Sequence, residues 1–426
     1  MKHHASRRSF LLEAVAGTAL LPTVLTTIGE AFPATTTKTN NESYWELIRR
    51  QFAFSEEKIP MNAANLCPSP RAVAERVASL TKNIDLDCSS NNRAKFKILL
   101  EESRTKVASH LGVTADEIAL VRNTSEANNT INNGLMLETG DEIVVWDQNH
   151  PTNNVAWDVR AARFGLSVQR VSVSKHPKTS IDLIAPFEQA LTAKTKVLAI
   201  THLSNVSGIR LPVKELTEIA HQRGIHLHLD GAQTWGALNV NLRELGVDSY
   251  TASTHKWFCG PKEAGVLYVK ADRISHVWPN VVAPGWGNDI DPDVSGARKF
   301  ESMGQRDDAC LASIGTTIDF HDHIGYDKVE GRMIELATKL KVGLHDAGVK
   351  LVTPMEPNLS GGVCIINVPA PVKTKILNAM YDEHGIAGST AGGFRLSPHI
   401  YNTPEHIERA VRGIATLRQQ VSEISI

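Results

Sequence analysis

Two short stretches concentrate the residue types that do chemistry. Leu227-His-Leu-Asp230-Gly-Ala-Gln233 ends an apolar run on an acid, and Thr251-Ala-Ser253-Thr-His255-Lys256-Trp-Phe-Cys-Gly260-Pro261 places a lysine just past the next run. An acid at the end of a buried strand is costly unless it meets a cation or strong donors. A protonated pyridine nitrogen opposite Asp230 would be such a cation, and the pair would keep the ring electron-poor enough to act as a carbanion sink. A desolvated amine at Lys256 can form an imine with an aldehyde. Ser253 and His255, which flank it, are donors for a phosphate. Taken jointly, the spacing describes pyridoxal 5′-phosphate (PLP) held on Lys256 as a Schiff base.

Four further segments point the same way. Arg122-Asn-Thr124-Ser125-Glu126-Ala127 reads as a helix start, whose orphan N–H groups and positive dipole end suit a phosphate. The others are Trp146-Asp-Gln-Asn-His150-Pro-Thr-Asn-Asn-Val-Ala-Trp157, Thr201-His-Leu-Ser-Asn205-Val-Ser-Gly208 and Gly393-Phe-Arg395-Leu-Ser-Pro-His-Ile-Tyr-Asn402-Thr403. From Asn62 to Asn402 the chain resembles the class-V aminotransferase family of PLP enzymes, the group containing cysteine desulfurases and isopenicillin N epimerase. Its local spelling looks closest to the epimerase-like branch.

The resemblance implies a role for each matching residue. Asp230 would pair with the pyridine nitrogen, Gln233 would reach the phenolic oxygen, and Lys256 would hold the aldehyde carbon. Thr124, Ser125, Glu126, Ser253 and His255 would surround the phosphate, and His150 would stack on the ring. Asn205 would reach both the phenolic oxygen and the substrate carboxylate. Arg395 would clamp an amino-acid α-carboxylate, a task a planar guanidinium suits better than Lys. A homodimer with shared active sites is also implied. The sequence departs from the family at two places. Gln305 stands where a phosphate-binding Thr is usual, and Glu383 to Phe394 lacks the nucleophilic Cys of the desulfurases. The resemblance therefore implies chemistry at Cα or Cβ of an amino acid, epimerase-like or by transamination. A C–S lyase without a persulfide is the alternative, and a non-catalytic PLP-fold binding protein is the reading from another class.

The elements that must position these residues are legible from periodicity. Apolar runs at Glu142–Trp146, Val197–Ile200, Ile225–Leu229 and Gly265–Val269 read as buried strands, with helical stretches such as Pro212–Arg223 between several of them. Strand–helix alternation predicts an α/β fold with a mostly parallel sheet, which in the resembling family is the fold-type I large domain. Short helices are expected over Tyr44–Phe54, Ala72–Thr81 and Asn91–His110. Beyond Ala309 the texture changes to long helices (Asp327–His345, Pro404–Val421) around a strand at Gly362–Val368. The expected division is a large domain over 64–308 and a small α+β domain over 309–426, with 35–63 packing on the small one.

Composition narrows the function classes. Lys+Arg 45 against Asp+Glu 46 leaves no field to attract nucleic acid. The five cysteines (Cys67, Cys88, Cys259, Cys310, Cys364) show no CxxC spacing, so neither a zinc site nor a disulfide framework is expected. At the N-terminus, Ser6-Arg7-Arg8-Ser9-Phe10-Leu11 precedes an apolar run from Ala14 to Leu25 that is too short to span a membrane. Residues 1–34 resemble a twin-arginine signal, which implies the twin-arginine export machinery as a partner, a periplasmic or secreted location, and no stable membrane insertion.

Overall fold

The computed structural model describes residues 42–283 and 294–420. The expected export signal lies outside the described residues. Residues 1–47 are a unit by themselves, of which 42–47 are described, and residues 48–426 form the other. In chain order the helices used below are α1 (Glu42–Arg49), α2 (Arg71–Leu86), α3 (Lys95–Leu111), α4 (Thr124–Gly134), α5 (Pro151–Phe164), α6 (Ile181–Ala190), α7 (Val213–Gln222), α8 (Asp308–Ala312), α9 (Ile314–Ile324), α10 (Tyr326–Asp346), α11 (Lys373–Asp382) and α12 (Pro404–Gln420). The strands are β1 (Ile59–Pro60), β2 (Ile118–Val121), β3 (Glu142–Trp146), β4 (Ser167–Val171), β5 (Thr195–Thr201), β6 (His226–Asp230), β7 (Ser249–Ser253), β8 (Gly265–Val269), β9 (Cys364–Ile366), β10 (Ile386–Ala387) and β11 (Phe394–Leu396).

Seven strands form the main sheet in the order β2-β8-β7-β6-β5-β3-β4, and only β8 runs antiparallel to its neighbours. Alternation along the strands feeds two cores. Val144, Trp146, Leu198, Ile200, Leu227 and Leu229 face one side, where α3, α6, α7 and α9 pack. Ile143, Val145, Val197 and Ala199 face the other, against Ala127 and Ile131 of α4 and Trp157 of α5. Burying one such side chain is worth about 1.5–3 kcal/mol, and a one-residue slip would turn every one of them to the wrong face. The apolar pattern thus fixes the register that brings Asp230 level with Thr201 on one side and Thr251 on the other.

Local signals explain the helix ends. Asn123 caps α4 by accepting from Glu126 N–H, and α5 opens with Pro151 and closes on the left-handed Gly165. The strand expected over 362–368 is shorter, Cys364–Ile366.

A second core is built from α10, β9, α11, β10, β11 and α12, and Ile59 and Met61 belong to it. Strand β1 pairs in parallel with β10. Packing of the larger core extends past the expected boundary at 308/309. Leu311, Ile314 and Ile318 join the larger core, and Gly315 N–H donates to Ser103 Oγ of α3. Residues 308–324 therefore belong with the main sheet, because α8 and α9 present an apolar face to α3. Among the described residues, no helix is long and apolar enough to cross a membrane.

Candidate active site

The site lies past the C-terminal ends of the parallel strands, where open α/β sheets bind ligands. Asp230 ends β6 with 2 % of its surface exposed. Its Oδ1 accepts from Ala232 N–H at 3.0 Å and its Oδ2 from Asn128 Nδ2 at 2.9 Å. The backbone turns sharply after it. A Cβ on Gly231 would lie 2.0 Å from the Tyr250 ring, so the D-G step permits only glycine here.

Lys256 sits in the turn after β7. Its Nζ makes no hydrogen bond to a described residue. Burial lowers the pKa of its amine, Arg395 acts in the same direction, and Asp230 opposes both. Lys262, six residues on, is spent by contrast: its Nζ donates to Cys67 O at 2.7 Å and to Ser69 Oγ at 3.0 Å. His150 caps α5, its Nδ1 2.8 Å from Thr152 Oγ1. Burial lowers its pKa, Lys256 and Arg395 add to that, and Asp230 opposes, which places the ring among these three charges.

The start of α4 meets the end of β7. Thr124 N–H donates to Ser253 Oγ at 2.8 Å, and the two hydroxyls are 2.7 Å apart. Among the described residues, His255 Nδ1 is buried without a partner. Burial pushes the His255 pKa down to about 4, helped by Lys256 and Lys262, so the imidazole is neutral at pH 7. Ser125 is exposed in the first turn of α4.

Three further residues of the expected set have their side chains engaged within the chain. The N–H of Glu126 is taken by Asn123, and its carboxylate accepts from Arg122 N–H at 2.7 Å, so it turns away from the cluster. Gln305 is exposed; its Oε1 accepts from Arg93 and its Nε2 donates to Arg306 O, both at 2.8 Å. The Gln233 side chain joins the site to its surroundings, with Nε2 donating to Ala64 O at 2.9 Å and Oε1 accepting from Trp257 Nε1 at 2.8 Å.

Arg395 lies on β11, which pairs with β9, and is 3 % exposed. Nη1 donates to Asn205 O at 3.0 Å and Nη2 to Asn62 Oδ1 at 3.1 Å, while Nε has no partner. Asn205 thus meets Arg395 through its carbonyl. Burial brings the guanidinium down to about 10, still charged at neutral pH, and among the described residues no carboxylate forms an ion pair with it. A buried cation held by two neutral oxygens, with one N–H unspent, is a ready site for a carboxylate.

Sequence reasoning missed Asn128, Asn62 and Ala64. A signal for Asn128 was present: it falls one helical turn after Thr124, on the same face of α4. Cys67, Cys259 and His399 could not be linked from spacing, since three separate segments bring them within 4.8 Å of one another. His399 Nε2 donates to Trp257 O at 2.7 Å, directly beneath the Lys256 turn. Cys364 is wholly buried on β9, and burial pushes its thiol up to about 12.

A doubly wound sheet that carries an acid at one strand end and a free lysine after the next is the architecture of the fold-type I PLP-dependent enzymes. The model of the family described as aminotransferase class-V matches residues 70–412, and the chain belongs to that family. It is 26% identical over 390 residues to the isopenicillin N epimerase of Streptomyces clavuligerus, covering 88% of this chain and 98% of that one. It is 26% identical over 391 residues to a probable cysteine desulfurase of Methanothermobacter thermautotrophicus, covering 85% and 95%. The apo cysteine desulfurase from Thermococcus onnurineus NA1 shares the fold, with a TM-score of 0.78 at 23% identity over 88% of this chain and 98% of that one.

Proposed function

We propose that this PLP enzyme removes the Cα proton of an α-amino acid and returns it, as an epimerase does. The observation that carries the reading is the free Lys256 amine set among Asp230, His150 and Arg395. The residues fit the cofactor: among the described residues Lys256 Nζ makes no hydrogen bond and His255 Nδ1 has no partner, and the Thr124 and Ser253 hydroxyls stand together at the start of α4, where a phosphate would sit. When bound, the cofactor supplies an electron sink that makes bonds at Cα labile.

The remaining work falls to side chains of this chain. Asp230 would face the ring nitrogen, Thr124, Ser125, Ser253 and His255 would hold the phosphate, and Gln233 would border the phenolic oxygen. Arg395 orients the substrate through its α-carboxylate, with Asn205 and Asn62 holding the guanidinium. Lys256 Nζ, whose pKa burial lowers, would take the Cα proton. Supporting epimerisation over sulfur transfer, the segment Glu383–Phe394 has no thiol and Cys364 stays protonated inside β9.

The test is a screen of L- and D-amino acids with product analysis. The expected outcome is a D-isomer from an L-substrate, with exchange of the Cα hydrogen for solvent deuterium. Keto acid would make it a transaminase, and released thiol a lyase. Lys256→Ala should abolish both turnover and covalent attachment of the cofactor; a borohydride-fixed adduct on Lys262 would overturn the assignment. The proposal includes export on the Arg7–Arg8 signal and a homodimer. Replacing Arg7 and Arg8 by Lys should retain the chain in the cytoplasm, and unaffected export would remove the twin-arginine reading.

A further inference from the structure

Strand β6 reads His226-Leu-His228-Leu-Asp230, and a strand's period of two puts the three polar residues on one face. That face is buried against α4, with Leu227 and Leu229 in the core on the opposite side. Polar residues so placed need partners, and here the partners form a single line. Asp230 Oδ2 meets Asn128 Nδ2 at 2.9 Å. Asn128 Oδ1 meets His228 Nε2 at 3.0 Å and Thr251 Oγ1 at 2.7 Å. His228 Nδ1 meets Ser249 Oγ at 2.8 Å, and Ser249 Oγ meets His226 Nε2 at 2.9 Å.

The direction of every bond follows from one end. A carboxylate only accepts, so Asn128 must turn its NH2 to Asp230 and its oxygen to His228 and Thr251. Both of these must then donate, which puts the His228 proton on Nε2. Burial pushes His228 down to about 3, so the ring is neutral and its Nδ1 accepts from the Ser249 hydroxyl. Ser249 has a single proton, now spent, and therefore accepts from His226 Nε2–H. Burial likewise holds His226 down to about 4.

We infer that Asn128, His228, Ser249 and His226 are positioning residues that aim a one-way chain of neutral donors at Asp230. The inference rests on the proposed pairing of Asp230 with the cofactor's ring nitrogen. Neutral donors stabilise the carboxylate without a cation on that side, so the ring nitrogen has no competitor there for the negative charge. A histidinium in contact with Asp230 would undo that arrangement.

The test uses purified holoenzyme and four variants, Asn128→Leu, His228→Phe, His228→Gln and Ser249→Ala. The readouts are the pH midpoint of the Lys256-bound chromophore's visible band, kcat, KM and Tm. With one donor fewer, Asp230 binds a proton more tightly and draws it from the ring nitrogen, so the chromophore becomes more basic. Asn128→Leu is expected to raise the midpoint by about one pH unit and to lower kcat about tenfold with KM little changed. His228→Phe should raise it less, Ser249→Ala less again, and His228→Gln, which keeps a donor, should restore most of the shift.

A merely structural role would lower Tm and leave the midpoint in place. An unmoved midpoint in Asn128→Leu, or equal shifts in His228→Gln and His228→Phe, would overturn the inference. If Asn128→Leu does not fold, the order of the His228 and Ser249 variants decides. A wild-type protein with no visible band would instead overturn the pairing on which the inference rests.

Discussion

Asp230 and Arg395 are both charged, both almost fully buried, and furnished in opposite ways. The carboxylate of Asp230 is supplied with donors by its own fold, from Ala232 and from Asn128 and the line of groups behind it. Among the described residues, the guanidinium of Arg395 receives two neutral oxygens, no acid, and keeps one N–H unspent. On the proposed roles the difference has a reason: a group that faces a resident cofactor can be finished in advance, because its partner does not leave. A group that binds and releases a substrate at every turnover has to be left incomplete, at the cost of a buried cation without a counter-ion.

The comparison is broken most severely at Asp230. Asp230→Asn removes the negative charge but keeps the shape, so the cofactor should remain attached. Cα proton exchange should slow by on the order of a thousandfold, equivalent to about 4 kcal/mol of barrier. Stopped-flow measurement of deuterium exchange at Cα checks this; near-normal exchange would mean another acid serves the ring nitrogen. A smaller effect is expected at the other end. Arg395→Lys keeps the charge and loses the parallel bonds of the fork, and one charge-assisted hydrogen bond is worth about 1.5–3 kcal/mol. KM for the amino acid should rise about ten- to a hundredfold with the cofactor spectrum unchanged.

The smallest and most graded effect is on stability in acid. His228 is held down to about 3, and His226 and His321 to about 4, chiefly by burial. These groups are neutral when folded and take up protons near pH 6.5 when unfolded. The stability they contribute is therefore complete above about pH 6.5 and declines as the pH falls towards 4. Each contributes a slope of about 1.4 kcal/mol per pH unit in that window. Urea midpoints at pH 7.5, 5.5 and 4.5 check the sign, and a midpoint that is flat or rises on acidification would contradict it.

What was legible in the sequence tracks how local the determinant is. The D-G-A-Q and S-x-H-K segments could be read because strand, turn and functional side chain lie within ten residues of each other. The same holds for helix α4, whose cap and first-turn hydroxyls are contiguous. Asn62 was opaque: its amide meets Arg395 across 333 residues of chain, and no periodicity announces such a meeting. The packing of the residues just past 308/309 was opaque for a related reason. Helices α8 and α9 follow the last strand in sequence, but their apolar face belongs to α3, two hundred residues earlier. The bond from the main-chain N–H of Arg122 to the Glu126 carboxylate is local, but the segment's spelling alone did not announce it.

The separations around Arg395 also bear on the order of assembly. Its two partners stand 190 and 333 residues away, while strand β6, which ends on Asp230, pairs with β5 and β7, its neighbours in sequence. Contacts of long sequence separation carry the larger loop-closure cost and form late. The strands around Asp230 can thus take shape before the segments of Asn62 and Arg395 have met, and the proposed carboxylate clamp is completed only when they do. Affinity for an amino acid then reports the finished fold, whereas a bound chromophore alone does not.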